Sequence, residues 1–203
     1  MQDRSYSDLK ALIEALAGIS SFTSDEDTKI KNLVNRRASQ AYNTSPSWPR
    51  YLVVGEERTM TTDTQIVPYT QTSKNNIGEF IRIHRKEPFK NNSAIEYDFF
   101  VDANGANVLN IANTEDSSVF VTYKKELSTF DENSTDIPGE FFHYLAHATY
   151  ADFLRMDGQH GKALTEEKLA NEYLDLELEK IDLRSNNNSI NKKFSTYVNR
   201  QRR

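Results

Sequence analysis

His143 and His147 stand four residues apart in this 203-residue sequence, and they are the residues whose types and spacing come nearest to chemistry. Four residues make about one helical turn, so both imidazoles leave the same face of a helix. Zinc proteases use that spacing with a glutamate beside the first histidine as general base. Tyr144 holds that place here, and a third ligand would have to come from His160 or Asp157. The pair therefore reads as an aromatic and histidine packing face, extended by Tyr150 and Leu154, with no metal bound. Other candidate patterns fail on the same kind of test. Asp102-Ala-Asn-Gly105 has its glycine two positions early for a calcium loop, and Asn113 stands where the closing glutamate belongs. Gly158-Gln-His-Gly161-Lys162 lacks the preceding strand and the hydroxyl residue of a phosphate loop. Paired carboxylates at Asp25-Glu26-Asp27, Glu56-Glu57 and Glu166-Glu167 read as solvated faces or helix starts. No nucleophile elbow or dinucleotide fingerprint occurs. The expectation is no catalytic residue, no cofactor and no metal.

The elements that would position such residues follow from periodicity. Ser7 or Asp8 is expected to cap a first helix with Leu9, Leu12, Ile13 and Leu16 on one face, closed by Gly18. Ser24 starts a second helix, with Ile30, Leu33, Val34, Ala38 and Ala41 as its apolar face and its end near Tyr42. The period then changes to two. Strands are expected at 51–54, 65–69, 79–85, 95–102, 107–111 and 118–124, with Asn104-Gly105 supplying the positive φ values of a hairpin and Pro68 marking an edge or bulge. Helices return at Asp136, with Pro138 in the first turn and Phe142, Leu145, Ala146, Thr149, Phe153 and Met156 as one stripe. A fourth helix is expected from about Lys162 to Arg184. It carries two stripes, Ala170, Leu174, Leu178, Ile181 and Leu169, Tyr173, Leu176, Leu183, which suits either cover on two sides, once by its own chain and once by a neighbour, or a central core helix. The fold class is α+β: a four-helix portion (7–43 and 136–184) with an inserted antiparallel region of five or six strands at about 48–130, in a single domain over 1–184.

Cysteine is absent, which excludes disulfide scaffolds and cysteine-based sites. The first residues lack the cationic start of a signal peptide, and no apolar run is long enough to span a bilayer. The net charge of −5 hides an asymmetry: Lys192, Lys193, Arg200, Arg202 and Arg203 face no acid from Ser185 onward, which leaves −10 on residues 1–184. An acidic body with a basic tail is expected to use the tail for docking, the alternative being a disordered, solubilising tail. Rich in Asn and Ser, residues 185–203 are read as an arm without an apolar period, disordered alone, whose anchors are Ile190, Phe194, Tyr197 and Val198.

In order along the chain come two opening helices, Trp48, a strand with Ile66-Val67-Pro68, the Asn104-Gly105 hairpin and the strand Val119–Lys124. A linker then leads to Ile137-Pro138-Gly-Glu-Phe141-Phe142-His143-Tyr-Leu-Ala146-His147-Ala-Thr-Tyr-Ala151, and a long helix closes the series. This succession, over most of residues 5–184, resembles the head–tail adaptor proteins of tailed bacteriophages, most closely the tail tubular protein A type of short-tailed phages. The sequence departs from that pattern in a longer Asn- and Thr-rich stretch at 61–76 and in the C-terminal arm. The resemblance implies a non-enzymatic virion protein of the neck, assembled in the host cytoplasm, that forms a ring, commonly dodecameric, below the portal. Its implied partners are the portal protein, a tail nozzle or tail tube protein, further copies of itself, and DNA passing non-specifically through the lumen, with no membrane. Ile190, Lys192, Lys193, Phe194, Tyr197, Arg200, Arg202 and Arg203 would form the portal-docking arm. Leu169, Tyr173, Leu176, Leu183, His143 and His147 would form the inter-subunit face. Two other readings stay open: a small β-rich module presenting Arg82, His84 and tyrosines to a polysaccharide or nucleic acid, and a hydrolase built on His143 or His147.

Overall fold

Ser5 opens the first helix, its Oγ accepting from the Asp8 N–H at 3.1 Å while the Asp8 carboxylate accepts from the Ser5 N–H at 3.4 Å. This reciprocal capping box satisfies two donors that a helix start otherwise leaves bare, and it moves the cap from the expected Ser7 or Asp8 to Ser5. The computed structural model describes residues 3–61, 65–88, 95–109 and 118–201, with side chains through Ile181. It has an α+β fold of four helices and nine short strands among those residues. They divide into two compact units, a helical unit of Met1–Ser45 with Thr129–Arg203 and a β unit of Pro46–Ser128.

In the helical unit, α1 (Tyr6–Ala17) buries Tyr6, Leu9 and Ile13 and stops at Gly18, whose φ of 70° suits a residue without Cβ. Helix α2 (Ser24–Asn43) is capped by Thr23 with Glu26 and buries Ile30, Val34, Ala38 and Ala41, as the period requires, together with Arg37. Lys10 joins the two helices through Asp27 at 2.7 Å. Helix α3 begins at Gly139 and runs to Met156, not from Asp136. Ile137 precedes a proline, which disfavours the helical region, and Ile137–Pro138 instead forms strand β9, paired antiparallel with β1 (Asp3–Arg4). Ten of the eighteen α3 residues are buried. Helix α3, rather than α4, is thus the central helix of this unit, and its expected single stripe is corrected: Phe142 and Phe153 are half-buried and Met156 is 54% exposed.

Helix α4 spans His160–Gln201, so the expected end near Arg184 is also corrected. No Gly or Pro interrupts 162–201, and Ile190, Phe194, Tyr197 and Val198 fall at i, i+4, i+7 and i+8. That is a helical period, which the reading of the arm as aperiodic overlooked. At 1.5 Å per residue α4 is about 63 Å long and α3 about 27 Å, so α4 outruns the helix it packs against. The side chains of residues 182–203, and with them every portal-arm residue, lie outside the described set.

Among its described residues the β unit holds seven strands, more than the five or six expected. Strands β2 (Leu52–Thr59), β8 (Ser118–Lys125), β4 (Ile77–His84) and β5 (Glu96–Tyr97) form one antiparallel sheet in that order. Strands β3 (Ile66–Pro68), β7 (Gly105–Val108) and β6 (Phe99–Val101) form another, with Pro68 on an edge strand. The expected single strand 95–102 is split at Asp98, because its two halves pair in different sheets, and Ile95 is 57% exposed rather than facing inward. Both sheets feed one core, with Val67, Ala106 and Val108 from the smaller and Ile83, Val119 and Val121 from the larger. Arg58 is fully buried beside it. Its guanidinium lies 4.8 Å from the Tyr123 ring centroid and donates to Asn75 O at 2.6 Å and Tyr123 Oη at 2.7 Å, while Glu56 faces it at 2.7 Å.

The 102–105 turn departs from expectation in one respect. Asn104 does not have positive φ; the turn is held by Asp102 Oδ1, which accepts from the N–H groups of Asn104 at 2.7 Å and Gly105 at 3.2 Å. Gly105 alone is special, with φ 145° and its α-carbon so close to β3 that a Cβ would lie 2.1 Å from Val67 O. Replacing Gly105 with Val is expected to separate β7 from β3 and to cost about 2–3 kcal/mol. Thermal and urea denaturation would check this, with Gly18→Ala, where a Cβ meets only open space, costing about 1 kcal/mol.

Candidate functional site

Helix α3 presents His143 and His147 to α4, where Tyr173 meets both rings. The centroids are 5.1 and 5.3 Å apart and the planes are nearly parallel, at 27° and 21°. His147 is buried, and its Nδ1 lies 2.8 Å from Glu166 Oε2 on α4, whereas His143 is exposed. The two histidines thus share one face as their spacing predicts, and that face is occupied by this chain's own Tyr173. Among the described residues, no three His, Asp or Glu side chains gather in a way that could hold a metal ion.

One turn further along the same pair of helices lies a group of charges that sequence reading missed. Arg37 on α2 meets Asp152 on α3 with two hydrogen bonds, Nε to Oδ2 at 2.7 Å and Nη2 to Oδ1 at 2.5 Å, and both side chains are only 9% exposed. Arg37 Nη2 also reaches Glu167 Oε1 on α4 at 3.3 Å, and Nη1 reaches Gln40 Oε1 at 3.1 Å. Arg155 closes the group, donating to Asp152 at 2.9 Å and to Glu167. Burial works against ionising Asp152, but the hydrogen bonds and charge of Arg37, then of Arg155, prevail and hold its carboxyl below the usual aspartate range. Hydrogen bonding from Arg155 does the same for Glu167 against a smaller cost of burial. Burial pushes the neighbouring Tyr144 hydroxyl up. The sequence carried one signal for this site: Arg37 falls three residues after Val34 and four before Ala41, inside the buried stripe of α2, where a cation needs a partner. Asp152 and Glu167 could not be matched to it without the helix packing.

The rest of α4 shows which predicted contact residues are open. Ala163, Ala170 and Leu174 are buried, and Leu178 and Ile181 are half-buried, so the first stripe packs on its own chain. Of the second stripe, Leu169 and Tyr173 are half-buried and Leu176 is 54% exposed. Leu183, like the arm residues, lies outside the described side chains. The structure therefore gathers His143, His147 and Tyr173 into one intramolecular stack and, among the described residues of the expected inter-subunit face, leaves His143 and Leu176 exposed.

In the β unit, Arg82 and His84 line a cleft of about 310 Å³ together with Leu52, Val54, Ile81 and Pro88. Its walls are mostly aliphatic. No helix among the described residues is long and apolar enough to cross a membrane. No protein-family model matches the chain, and no curated protein matches it significantly.

Two outcomes follow. Asp152 and Glu167 have folded-state pKa values below their unfolded ones, so their contribution is fully present above the unfolded values, about 3.9 and 4.3, and is lost as pH falls through the folded values beneath them. Melting temperature should therefore drop steeply below about pH 4. Arg37→Ala, which leaves the Asp152 carboxylate with Arg155 as its remaining partner, should cost about 3 kcal/mol at neutral pH and flatten that acid limb. The second outcome concerns metal. Elemental analysis should find no stoichiometric zinc, and a chelator should leave the melting temperature of the protein and of His147→Ala unchanged.

Proposed function

We propose that this chain is a structural virion protein, a ring-forming head–tail adaptor that links the portal to the tail and lets DNA pass through its centre. The ordered landmarks from the two opening helices to Ile137-Pro138 and the long closing helix support this reading. The observation that carries it is α4: a 42-residue helix that packs on α3 with one row of side chains and exposes Leu176 on another. A helix that overruns its own partner in this way is suited to contacts with neighbours. The −10 charge on residues 1–184 suits a channel wall that must not retain phosphate. The basic end of α4 supplies steering charge, and Ile190, Phe194 and Tyr197 at helical spacing supply anchors for a groove on the portal. The role is one of binding and assembly, without turnover.

A ligand-binding module based on Arg82 and His84 fits less well, because the cleft beside them is walled by Leu52, Val54, Ile81 and Pro88. Those groups suit an aliphatic occupant better than a sugar or a base.

Binding kinetics on immobilised portal protein test the reading. The full chain should bind, and a 1–184 truncation should keep its melting temperature but lose at least tenfold in affinity. Phe194→Ala with Tyr197→Ala should mainly speed dissociation, whereas neutralising Arg200, Arg202 and Arg203 should mainly slow association and reduce its salt dependence. Equal binding by the truncation and the full chain, or binding of the arm to DNA with a steep salt slope, would remove the docking role.

A further inference from the structure

The cleft on the β unit has no assigned occupant, and its chemistry is specific. Leu52 and Val54 of β2 and Ile81 of β4 form its floor, and Val54 remains 41% exposed. Pro88 forms a wall that is fixed by close approach to Gly55, where a Cβ would lie 2.9 Å from Pro88 Cδ. The Thr122 hydroxyl is already engaged by the Gly55 N–H at 3.3 Å. Ser47, which also lines the cleft, has an interaction of its own, so polar recognition falls to Arg82 and His84. The Arg82 side chain is 62% exposed and meets Glu96 only at 3.9 Å, while buried His84 Nδ1 has no partner among the described residues. The fitting occupant is an aliphatic side chain with carboxylates beside it.

The same chain offers such a group elsewhere. Leu176 is 54% exposed, with Glu172, Asp175 and Glu179 at i−4, i−1 and i+3, while the one cation on this face among the described residues, Lys180 at i+4, is paired with Glu177 at 2.5 Å. The carboxylates of Glu172, Asp175 and Glu179 are exposed and engage no partner among the described residues. Other exposed apolar side chains fit less well. Leu164 lies between Lys162 and Lys168, and the carboxylate on its face, Glu167 at i+3, is already held by Arg37 and Arg155. Phe100 lies between Asp98 and Asp102, but Asp102 Oδ1 is committed to its own turn.

We propose that this cleft is the acceptor half of the ring contact and seats Leu176 of the neighbouring copy, with the carboxylates around that leucine set beside Arg82. The proposal rests on the adaptor reading and supplies the surface that the exposed side of α4 meets. Because the two patches differ, the contact is heterologous, the kind that propagates from copy to copy and closes a ring.

The absence of cysteine makes the test clean. The full chain carrying Val54→Cys and Leu176→Cys, mildly oxidised under assembly conditions with portal, should give a ladder of dimer, trimer and higher species on a denaturing gel. Mixed single variants should stop at the dimer, and Val54→Cys with Phe100→Cys should give no ladder. Glu172→Arg with Glu179→Arg should weaken assembly at least tenfold by sedimentation, and adding Arg82→Glu should restore most of it. Circular dichroism must show each variant folded; because Leu176 is exposed, Leu176→Asp serves as a second probe and should abolish rings without lowering helix content. Rings that persist in Leu176→Asp, with no Val54–Leu176 cross-link, overturn this contact and leave the adaptor reading standing. A double-cysteine ladder that stops at the dimer overturns the heterologous geometry. Failure of the unmodified chain to assemble at all overturns both.

Discussion

Burying a guanidinium costs several kcal/mol unless a carboxylate meets it squarely, and in this protein Asp152 meets Arg37 with two hydrogen bonds from the facing helix. The pair fixes the register of α2 against α3, since one turn of slippage would leave two buried charges unmatched. Glu167 and Arg155 extend the constraint to α4. Once Glu167 is drawn inward, the rotation of α4 about its axis is set. Ala163, Ala170 and Leu174, at i−4, i+3 and i+7 from the half-buried Glu167, are buried on the same side. Leu176 is nine residues on, half a revolution around the helix at about 100° per residue, and so faces outward. The outward placement of Leu176, on which the assembly reading depends, thus follows from the ion-paired group that Arg37, Asp152, Arg155 and Glu167 form among α2, α3 and α4.

The β unit relies on a different device. Its sheets share a core; the smaller pairs in continuous register, whereas the larger is irregular, with register shifts at Val53/Glu56, Ile77/Glu79 and Phe80/Arg82. Bulges of this kind bend strands and re-aim side chains. Here one of them contains Gly55, whose positive φ and missing Cβ admit Pro88 and so shape the apolar cleft. Arg58 stacks on Tyr123 within the same sheet and pins β2 to β8 from the core side. The cleft is thus shaped within the β unit and the helix face within the helical unit, each by its own contacts.

Much of this was legible in the sequence where a local rule acts alone. Apolar spacing gave α1 and α2, Gly18 gave the end of α1, and alternation gave strands near 52, 66, 79 and 118. It failed where two rules compete or where partners are distant. Ile137-Pro138 carries a helix-start signal, but the pre-proline preference for extended backbone and the availability of Asp3–Arg4 as a pairing partner decide for a strand. Residues 185–201 are polar enough to suggest an arm, yet their few apolar residues keep helical period and nothing breaks the helix. His143 and His147 were legible as one packing face, whereas their occupant, Tyr173, comes from a helix the sequence could not orient. Arg37 shows the general difficulty: a charge in a buried stripe announces that a partner exists, but only packing identifies Asp152.

Electron microscopy of the full chain mixed with its cognate portal protein tests the central claim most directly. Closed rings seated coaxially on the portal, with an open central channel, are the expected result. Portal particles without added density, beside monomeric chain that stays monomeric at high concentration, would contradict it.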